Sequence, residues 1–330
     1  ATANAVGNHN VSVLLGNGSG SFGTATNIGV GINPQGIVAG DFNGDGILDL
    51  VTANYYSNNV SVLLGNGSGS FGTATNFPAG TGLRSVAAGD FNRDNRLDLV
   101  VANNGSNYIS VLLGNGLGGF GPPDAFLLSS RPISVTVGDF NRDNRLDLAA
   151  TLVSDKVSVM LGAGNGLFGP PAYFPVGAAP ISVVVGDFNR DSNPDLATAN
   201  LGPDNVSVLL GNGSGGFSST TNFGAGQDPF SVAVGDFNGD GNPDLVVSNA
   251  IDFNSSFDRV SVLLGNGSGG FGSYTSFELE GNREPYAVAV GDLNGDGKAD
   301  VVTGNSYGNN ISVLLNECGL PTRTPTATST

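Results

Sequence analysis

The chain has 330 residues, of which 39% are hydrophobic, only 12% are charged and 53 are glycine, a composition typical of a turn-rich β protein rather than a helical or disordered one. Its formal net charge of −16 argues against binding to nucleic acid or anionic lipid, because clustered Lys and Arg hold such partners. No run approaches about 18 to 20 apolar residues, so the sequence predicts no membrane span.

A strand-like pattern, V-S-V-L-L-G, recurs along the whole chain at a spacing of 48 to 54 residues. Its copies begin at Val11, Val60, Ile109, Val157, Val206, Val260 and Ile311. A period of about 40 to 50 residues with several short strands is typical of propeller blades, because one such sheet cannot bury both of its faces alone. The repeat therefore predicts an all-β fold, a seven-bladed β-propeller of four-stranded antiparallel blades.

Each repeat is predicted to contain four strands, separated by Gly and Asn. In the sixth repeat these strands lie around residues 231–237, 245–248, 260–264 and 271–277. The first three are almost continuous Val, Ala and Leu, which suits sheets covered on both faces, whereas the fourth is more polar, as an outer edge should be. The phenylalanines of the repeat, such as Phe42 and Phe120, are expected to be core residues between blades.

Counting strands along the chain predicts seven sheets and 26 strands, because the first repeat lacks its first strand and the last repeat lacks its fourth. Six blades would leave two strands without a sheet. Either the Thr- and Pro-rich tail supplies a missing strand, or an edge stays open to a neighbouring chain. The predicted domains are a propeller over residues 1–316 and a tail or linker over 317–330. The chain begins in mid-repeat, so a leader is expected to have been removed.

Between the first and second strands, six repeats carry an acidic loop of the pattern D-x-N-x-D-x-x-x-D. Oxygens at positions 1, 3 and 5 of such a loop can converge on a hard cation such as Ca²⁺, and the carbonyl at position 7 and the Asp at position 9 would complete its shell. The predicted metal ligands are Asp41, Asn43, Asp45, Ile47, Asp49; Asp90, Asn92, Asp94, Arg96, Asp98; Asp139, Asn141, Asp143, Arg145, Asp147; Asp187, Asn189, Asp191, Asn193, Asp195; Asp236, Asn238, Asp240, Asn242, Asp244; Asp292, Asn294, Asp296, Lys298 and Asp300.

About six Ca²⁺ ions in a structural role are predicted, because the carboxylates of one loop would repel one another without a cation. Three Asp in each of the six loops make up 18 of the 28 acidic residues, and six Ca²⁺ ions would bring the formal charge to about −4. Mg²⁺ is disfavoured because it keeps its own waters, and Zn²⁺ because the loops contain no His or Cys.

Position 6 of each loop must turn sharply, and it is Gly in three loops but Asn95, Asn144 or Ser192 in the others. Asn tolerates a left-handed backbone better than Ser does. The loop that begins at Asp187 and contains Ser192 is therefore expected to bind most weakly.

The pattern G-D-F-N-x-D-G-x-x-D-L and the later Phe-Gly step together resemble the FG-GAP/VCBS repeat family. The step occurs at Phe22-Gly23, Phe71-Gly72, Phe120-Gly121, Phe168-Gly169 and Phe271-Gly272, with a departure at Phe217-Ser218. The resemblance covers residues 1–316 and implies the seven-bladed propeller of integrin α-subunits, a mushroom lectin and many bacterial surface proteins. It also implies an extracellular protein with Ca²⁺ sites that stiffen the blades, but it names no ligand.

Strand alternation places the acidic loops and the third-to-fourth turns at one end of each sheet, and the remaining joins at the other. Insertions around residues 251–259 and 277–284 fall at that other end, and this loop rim is the predicted contact surface for a protein or glycan ligand. Its candidate residues are Asp252, Phe253, Phe257, Asp258, Glu278, Glu280 and Glu284, with Tyr55, Tyr56 and Tyr307 in the same class of loop.

Catalysis has little support in the sequence, because His9 is the only histidine, Cys318 is the only cysteine, and most carboxylates belong to the acidic loops. The predicted function is therefore not enzymatic: a secreted or cell-surface calcium-binding module for adhesion or interaction. Two alternatives stay open. One is a subunit that assembles with copies of itself into an extracellular filament or sheath. The other is a lectin, which the absence of Trp disfavours.

Overall fold

The computed structural model describes residues 1–5, 7, 9–250, 258–279, 284–306, 308–317 and 322–323. These residues form 27 strands in seven antiparallel sheets, each with its strands in chain order. Contacts divide the chain into two compact units, residues 1–13 with 26–174 and residues 14–25 with 175–330. Within the described ranges, no helix has the length and hydrophobicity needed to cross a bilayer.

The first unit contains sheets 1 to 4. Sheet 1 has three strands: β1 (Thr2–Asn4), β2 (Asn10–Val13) and β3 (Thr26–Gly29). Sheet 2 consists of β4 (Pro34–Gly40), β5 (Asp49–Asn54), β6 (Asn59–Leu63) and β7 (Thr75–Pro78). Sheet 3 consists of β8 (Leu83–Gly89), β9 (Asp98–Asn103), β10 (Tyr108–Leu112) and β11 (Asp124–Leu127). Sheet 4 consists of β12 (Pro132–Gly138), β13 (Asp147–Leu152), β14 (Lys156–Met160) and β15 (Ala172–Pro175).

The second unit contains sheets 5 to 7. Sheet 5 consists of β16 (Pro180–Gly186), β17 (Asp195–Asn200), β18 (Asn205–Leu209) and β19 (Thr221–Gly224). Sheet 6 consists of β20 (Pro229–Gly235), β21 (Asp244–Asn249), β22 (Arg259–Leu263) and β23 (Thr275–Glu278). Sheet 7 consists of β24 (Pro285–Gly291), β25 (Asp300–Asn305), β26 (Asn310–Leu315) and β27 (Thr322–Arg323).

The second and third strands form the buried centre of each complete sheet. Every residue of β5, β9, β13, β17 and β21 is buried, and the Val-Ser-Val segments of the third strands are buried too. The fourth strands are mostly exposed, as their polarity predicts. The first strands are only partly buried, so the expectation that three strands are covered on both faces is correct for two of them.

Phenylalanine rings connect neighbouring sheets, which confirms their predicted core role. Phe42 is 2% exposed, and its ring centroid lies 5.9 Å from that of Phe120 in the next sheet. Phe77 of β7 packs on the same Phe120 ring at 5.6 Å, also edge to face. The second unit repeats the arrangement with Phe188, Phe223 and Phe271.

The first and last repeats, each predicted to lack one strand, differ in whether the structure completes their sheet. Tail residues Thr322–Arg323 pair with β26 as β27, so the tail supplies the fourth strand of sheet 7 and raises the strand total from the expected 26 to 27. In sheet 1, by contrast, β1 is an edge strand with β2 as its sheet partner among the described residues. The β2–β3 connection belongs to the second unit, where Gly20 N donates to Leu293 O at 3.0 Å.

Candidate functional site

The six acidic loops share one hydrogen-bond pattern, built by their own side chains. In the first loop, Asp41 Oδ2 accepts the Gly46 N–H at 2.8 Å, and Asp41 Oδ1 accepts the Asp45 N–H at 3.2 Å. Asn43 Oδ1 also accepts the Asp45 N–H, and Asp45 Oδ1 accepts the Ile47 N–H at 2.8 Å. The other five loops repeat these bonds. Short polar side chains thereby fold the backbone into a tight turn.

Position 6 has the left-handed backbone that the sequence predicts, with φ of 65° at Ser192 and 80° at Gly46. Position 4 is left-handed as well, which the sequence analysis missed because three loops place Arg there. Arg93, Arg142 and Arg190 have φ between 60° and 63°. A side chain with a Cβ is strained in this region, by roughly 1 to 2 kcal/mol, so three loops carry strain that the glycine loops avoid.

The Asp at position 9 is fully buried and links the loop to the sheet. Asp49 Oδ2 accepts the Phe42 N–H at 2.9 Å, and its Oδ1 accepts the Gly65 N–H, beyond the third strand, at 2.8 Å. All six loops make this pair of bonds, at 2.7 to 2.9 Å. One carboxylate therefore joins the acidic loop to the end of strand three, a structural role that the sequence analysis did not assign.

Burial raises the pKa of four of the position-9 carboxylates, those of Asp98, Asp147, Asp195 and Asp244. Desolvation raises the pKa of Asp147 to about 6 despite its two N–H bonds, and the nearby Asp143 and Asp139 raise it further. The pKa of Asp195 is raised to about 6 by the same causes. At the exposed first position the direction reverses, because the Gly46 N–H bond leads a set of backbone bonds that lower the pKa of Asp41. In these four loops, exposed carboxylates therefore accompany a buried one whose charge is costly.

Three loops hold a basic side chain against their own fifth-position carboxylate. Arg145 Nη2 lies 2.9 Å from Asp143 Oδ2. The corresponding distances are 3.6 Å in the Arg96–Asp94 pair and 3.8 Å in the Lys298–Asp296 pair. In these loops a protein cation already neutralises part of the acidic charge.

The exposed donor set of each loop consists of oxygens only, from Asp at positions 1 and 5 and Asn at position 3. That chemistry fits a hard cation such as Ca²⁺. Among the described residues, however, no three acidic, His or Cys side chains are gathered into a single metal-binding group. The predicted closing of the shell by the ninth Asp, like the position-7 carbonyl ligands, stays a prediction.

At the opposite end of the sheets, the second-to-third turns bond to the joins that precede the first strands. Tyr55 N donates to Asn33 O at 2.8 Å and Tyr56 N to Ile32 O at 3.1 Å, which places these loops together as predicted. Of the predicted rim residues, Asp258 is buried and accepts the Glu284 N–H at 2.8 Å, and Glu278 contacts Arg259 at 3.5 Å. The rim candidates Asp252, Phe253, Phe257, Glu280 and Tyr307 lie outside the described residues, as does Cys318.

A polar cavity of about 250 Å³ opens at this end of the first unit, between sheets 2 and 3. Its lining residues are Asn33, Gln35, Tyr55, Tyr56, Arg84 and Asn104. A second cavity, of about 220 Å³, lies in the second unit beside Arg259 and Tyr274. The two tyrosines of the first cavity are predicted rim residues. Arg84 was not predicted, because it interrupts an otherwise apolar strand pattern and belongs to no motif.

Solved structures with a similar fold cover nearly the whole chain. A protein from Lactobacillus plantarum aligns with a TM-score of 0.68 and 15% identity, over 97% of this chain and 96% of its own. A periplasmic gluconolactonase from Pseudomonas aeruginosa aligns at 0.66 and 17% identity, over 97% and 95%. BBS1N, solved in complex with ARL6DN, aligns at 0.60 and 15%, over 96% and 89%. These likenesses show the fold alone, that of an all-β seven-bladed β-propeller of antiparallel blades.

No curated protein matches the sequence significantly. The model of the FG-GAP-like repeat, in contrast, matches five segments, at residues 3–52, 41–101, 90–150, 192–247 and 250–303. These segments include five complete acidic loops and most of the strand pattern around them. The chain therefore belongs to the FG-GAP-like repeat family.

Proposed function

We propose that the protein is a secreted or cell-surface interaction module whose propeller is stabilised by Ca²⁺ in about six acidic loops. The observation that supports this best is the sixfold repetition of one loop geometry with an oxygen-only donor set. In the first loop, Asp41, Asn43 and Asp45 would supply side-chain oxygens, with the Ile47 carbonyl and Asp49 completing the set. Bound Ca²⁺ would offset the repulsion among the carboxylates, while the loop's own bonds hold its shape.

An extracellular location follows from the same proposal. Exposed surface loops of this kind suit the calcium affinities of extracellular modules, with Kd values of roughly 10⁻⁴ to 10⁻³ M, which are filled outside cells. The proposed partner is a protein or glycan at the end of the sheets opposite the acidic loops, where loop sequences differ most between repeats.

The proposal includes no catalytic role. His9, the only histidine, accepts the Asn33 N–H on its Nδ1 at 3.2 Å, and the buried ninth-position carboxylates bind backbone groups. A gluconolactonase has a similar fold. The proposed absence of catalysis is therefore tested by measuring whether the purified chain hydrolyses a sugar lactone. Turnover that exceeds a buffer control would contradict it.

The proposal is tested by thermal unfolding of the full chain in 1 mM Ca²⁺ and in excess chelator, with native mass spectrometry to count bound metal. A ligand that binds only the folded state raises stability by mass action, so we expect a lower melting temperature in chelator and loss of about six Ca²⁺ ions. The D41N/D45N double variant should lose one ion, while D124N, at an exposed Asp in β11, should lose none. Equal melting temperatures with no bound metal would refute the calcium role.

A second candidate function is self-assembly through sheet 1. β1 is half-buried, whereas the equivalent β5 is buried at every residue between two partner strands. Among the described residues its outer edge has no strand partner, and an unpaired edge can accept a strand from another copy of the chain. Electron microscopy and size-exclusion chromatography in 1 mM Ca²⁺ separate the candidates, because ordered polymers favour assembly and discrete monomers exclude it.

A further inference from the structure

The cavity between sheets 2 and 3 contains an arginine without an acidic partner. Arg84, on β8, is half-buried, and it is not among the basic side chains that form ion pairs in the described part of the chain, such as Arg96, Arg145, Arg259 and Lys298. Desolvation lowers the pKa of Arg84, and Tyr55 is the only group that acts in the opposite direction. A partly desolvated guanidinium without a counter-charge is costly in a folded protein, and a bound anion would offset that cost.

Two tyrosines border the same cavity. The Tyr55 and Tyr56 rings lie 5.1 Å apart at 88°, and Tyr56 is 66% exposed. Backbone bonds from both residues to the preceding join hold this turn in place. Tyr56 therefore presents a supported aromatic surface beside the guanidinium, suited to the apolar face of a small ring.

Side-chain amides complete the lining. Gln35 donates to Asn33 Oδ1, and Asn104, which is 8% exposed, donates to Pro132 O at 3.0 Å, so these groups are held in place. An amide carries both donors and acceptors, as a hydroxyl-rich ligand requires. An acidic peptide side chain would satisfy the arginine but would use none of the remaining donors and acceptors of these amides.

The neighbouring repeats in the same unit lack this combination. The position of Arg84 is held by Gln35 in sheet 2 and Ile133 in sheet 4, and the tyrosine pair corresponds to Val153 and Ser154 in sheet 4. A cation, an exposed ring and amides thus meet at one of these repeat junctions. The cavity beside Arg259 differs, because that arginine contacts Glu278 at 3.5 Å.

We propose that the cavity formed by Arg84, Tyr56 and the neighbouring amides binds an acidic sugar of the hexuronate class. The guanidinium would pair with the sugar carboxylate through two parallel N–H···O bonds, the Tyr56 ring would pack on the sugar ring, and the amides would bind hydroxyls. A cavity of about 250 Å³ has room for a single sugar unit, so longer chains would extend into solvent. This inference rests on the proposed interaction role and names its ligand class.

The test is calorimetric titration of the full chain with glucuronate and galacturonate, against glucose and galactose, in 1 mM Ca²⁺ and 50 mM NaCl. We expect at least one acid to bind about tenfold or more tightly than its neutral counterpart, because the carboxylate can accept two parallel bonds from the guanidinium and the neutral hydroxymethyl group cannot. Equal affinity for acidic and neutral sugars, or tighter binding of an Asp-rich peptide that displaces the acid, would overturn the proposal.

Variants locate the site. R84Q should lose the preference for the acid, and R84K should keep only part of it because Lys lacks the planar fork. R259Q makes the same change at an arginine that is paired with Glu278, and this variant should bind the acid as the parent does. Y56A should weaken binding, whereas Y108A, at another exposed tyrosine, should not. Unaltered binding by R84Q would place the sugar elsewhere and refute the assignment. Melting temperatures in Ca²⁺ and in chelator, measured on the same samples, show whether the calcium proposal stands independently.

Discussion

At the scale of single residues, a polar chain runs across the sheets whose second strand ends with Asn, which sheet 4 lacks because Leu152 stands there. The chain depends on which side chain lies two positions before that Asn. In sheet 2, Asn54 donates to Asn59 Oδ1 and Ser61 Oγ at 2.8 Å, and its own Oδ1 accepts the Thr52 hydroxyl at 3.0 Å. Sheets 5 and 7 contain the same Thr-to-Asn bond. In sheet 3 the Thr is replaced by Val101, and the buried Asn103 Oδ1 has no hydrogen-bond donor.

Replacing Val101 by Thr should therefore stabilise the protein. The new hydroxyl would donate to Asn103 Oδ1, and satisfying a buried acceptor is worth about 1 kcal/mol, more than the methyl group lost from a nearly isosteric side chain. Denaturant unfolding of V101T should show a higher midpoint with an unchanged slope.

Sheet 6 provides the matched control. Asn249 Oδ1 already accepts the Ser261 hydroxyl at 2.8 Å, so V247T at the equivalent position gains no missing bond and should be neutral or destabilising. If the two variants change the unfolding midpoint equally, an unsatisfied oxygen in sheet 3 is not the cause.

At the scale of the loop, the acidic repeats fall into two classes. The loops that begin at Asp41, Asp236 and Asp292 have Gly at positions 4 and 6, whereas those at Asp90, Asp139 and Asp187 have Arg at position 4 and Asn or Ser at position 6. The second class carries strain at two left-handed residues, and two of its members also carry an arginine against the Asp at position 5. Both features predict weaker Ca²⁺ binding.

Removing the arginine that contacts Asp143 should strengthen Ca²⁺ binding by that loop. Arg145 Nη2 lies 2.9 Å from Asp143 Oδ2, an oxygen that a metal ion would need, so R145Q should raise Ca²⁺ affinity at that loop about three- to tenfold. The position-7 carbonyl is unaffected because it belongs to the backbone. Calorimetric Ca²⁺ titration of R145Q against the parent measures the change.

The Lys298 loop serves as the comparison, since its pair with Asp296 is looser at 3.8 Å. K298Q should change affinity less than R145Q does. An R145Q protein that binds Ca²⁺ no more tightly than the parent would show that the arginine does not compete with the metal.

The sequence predicts periodic features of these elements well and local exceptions poorly. The strand pattern, the left-handed position 6 and the Phe42–Phe120 contact follow from residue types that recur in most repeats. The left-handed Arg93, in contrast, contradicts its own backbone preference, because tertiary context and the Asx turns determine its conformation. The double role of Asp49 was also missed, because its partner Gly65 lies 16 residues away and becomes its neighbour only through strand pairing.

The two candidate sites, the acidic loops and the Arg84 cavity, show the same contrast between periodic features and local exceptions. All six acidic loops could be located from spacing alone, since their oxygen donors lie within nine residues of each other. The Arg84 cavity could not, because its lining comes from two repeats and its decisive property is that Arg84 has no acidic partner among the described residues.

At the scale of the whole molecule, the Thr- and Pro-rich tail contributes a strand to the fold. β27 pairs with β26 through Leu314 and Leu315, whose side chains are 2% and 7% exposed. Truncation after Glu317 should leave this edge of sheet 7 unpaired, and a chain that ends after Arg323 should keep it covered. Hydrogen exchange at the amides of β26 should therefore accelerate in the shorter chain only, with a lower melting temperature.

Equal protection of β26 in the two truncated chains would show that β27 does not stabilise the sheet. The longer chain controls for the loss of the remaining Thr-rich residues, 324–330, which are common to the two deletions.

The bond between an acidic loop and the following repeat has a consequence for how such chains can change over generations. Gly118 N donates to Phe42 O, Gly166 N to Phe91 O and Gly269 N to Phe188 O, each at 2.9 Å. The third repeat shows both sides of this bond, because its Gly118 donates to the preceding repeat and its Phe91 accepts from the following one. Unequal recombination within the gene can join two distant repeats at equivalent positions. The new junction would then have its hydrogen bond already in place. Repeats can therefore be exchanged without a new interface.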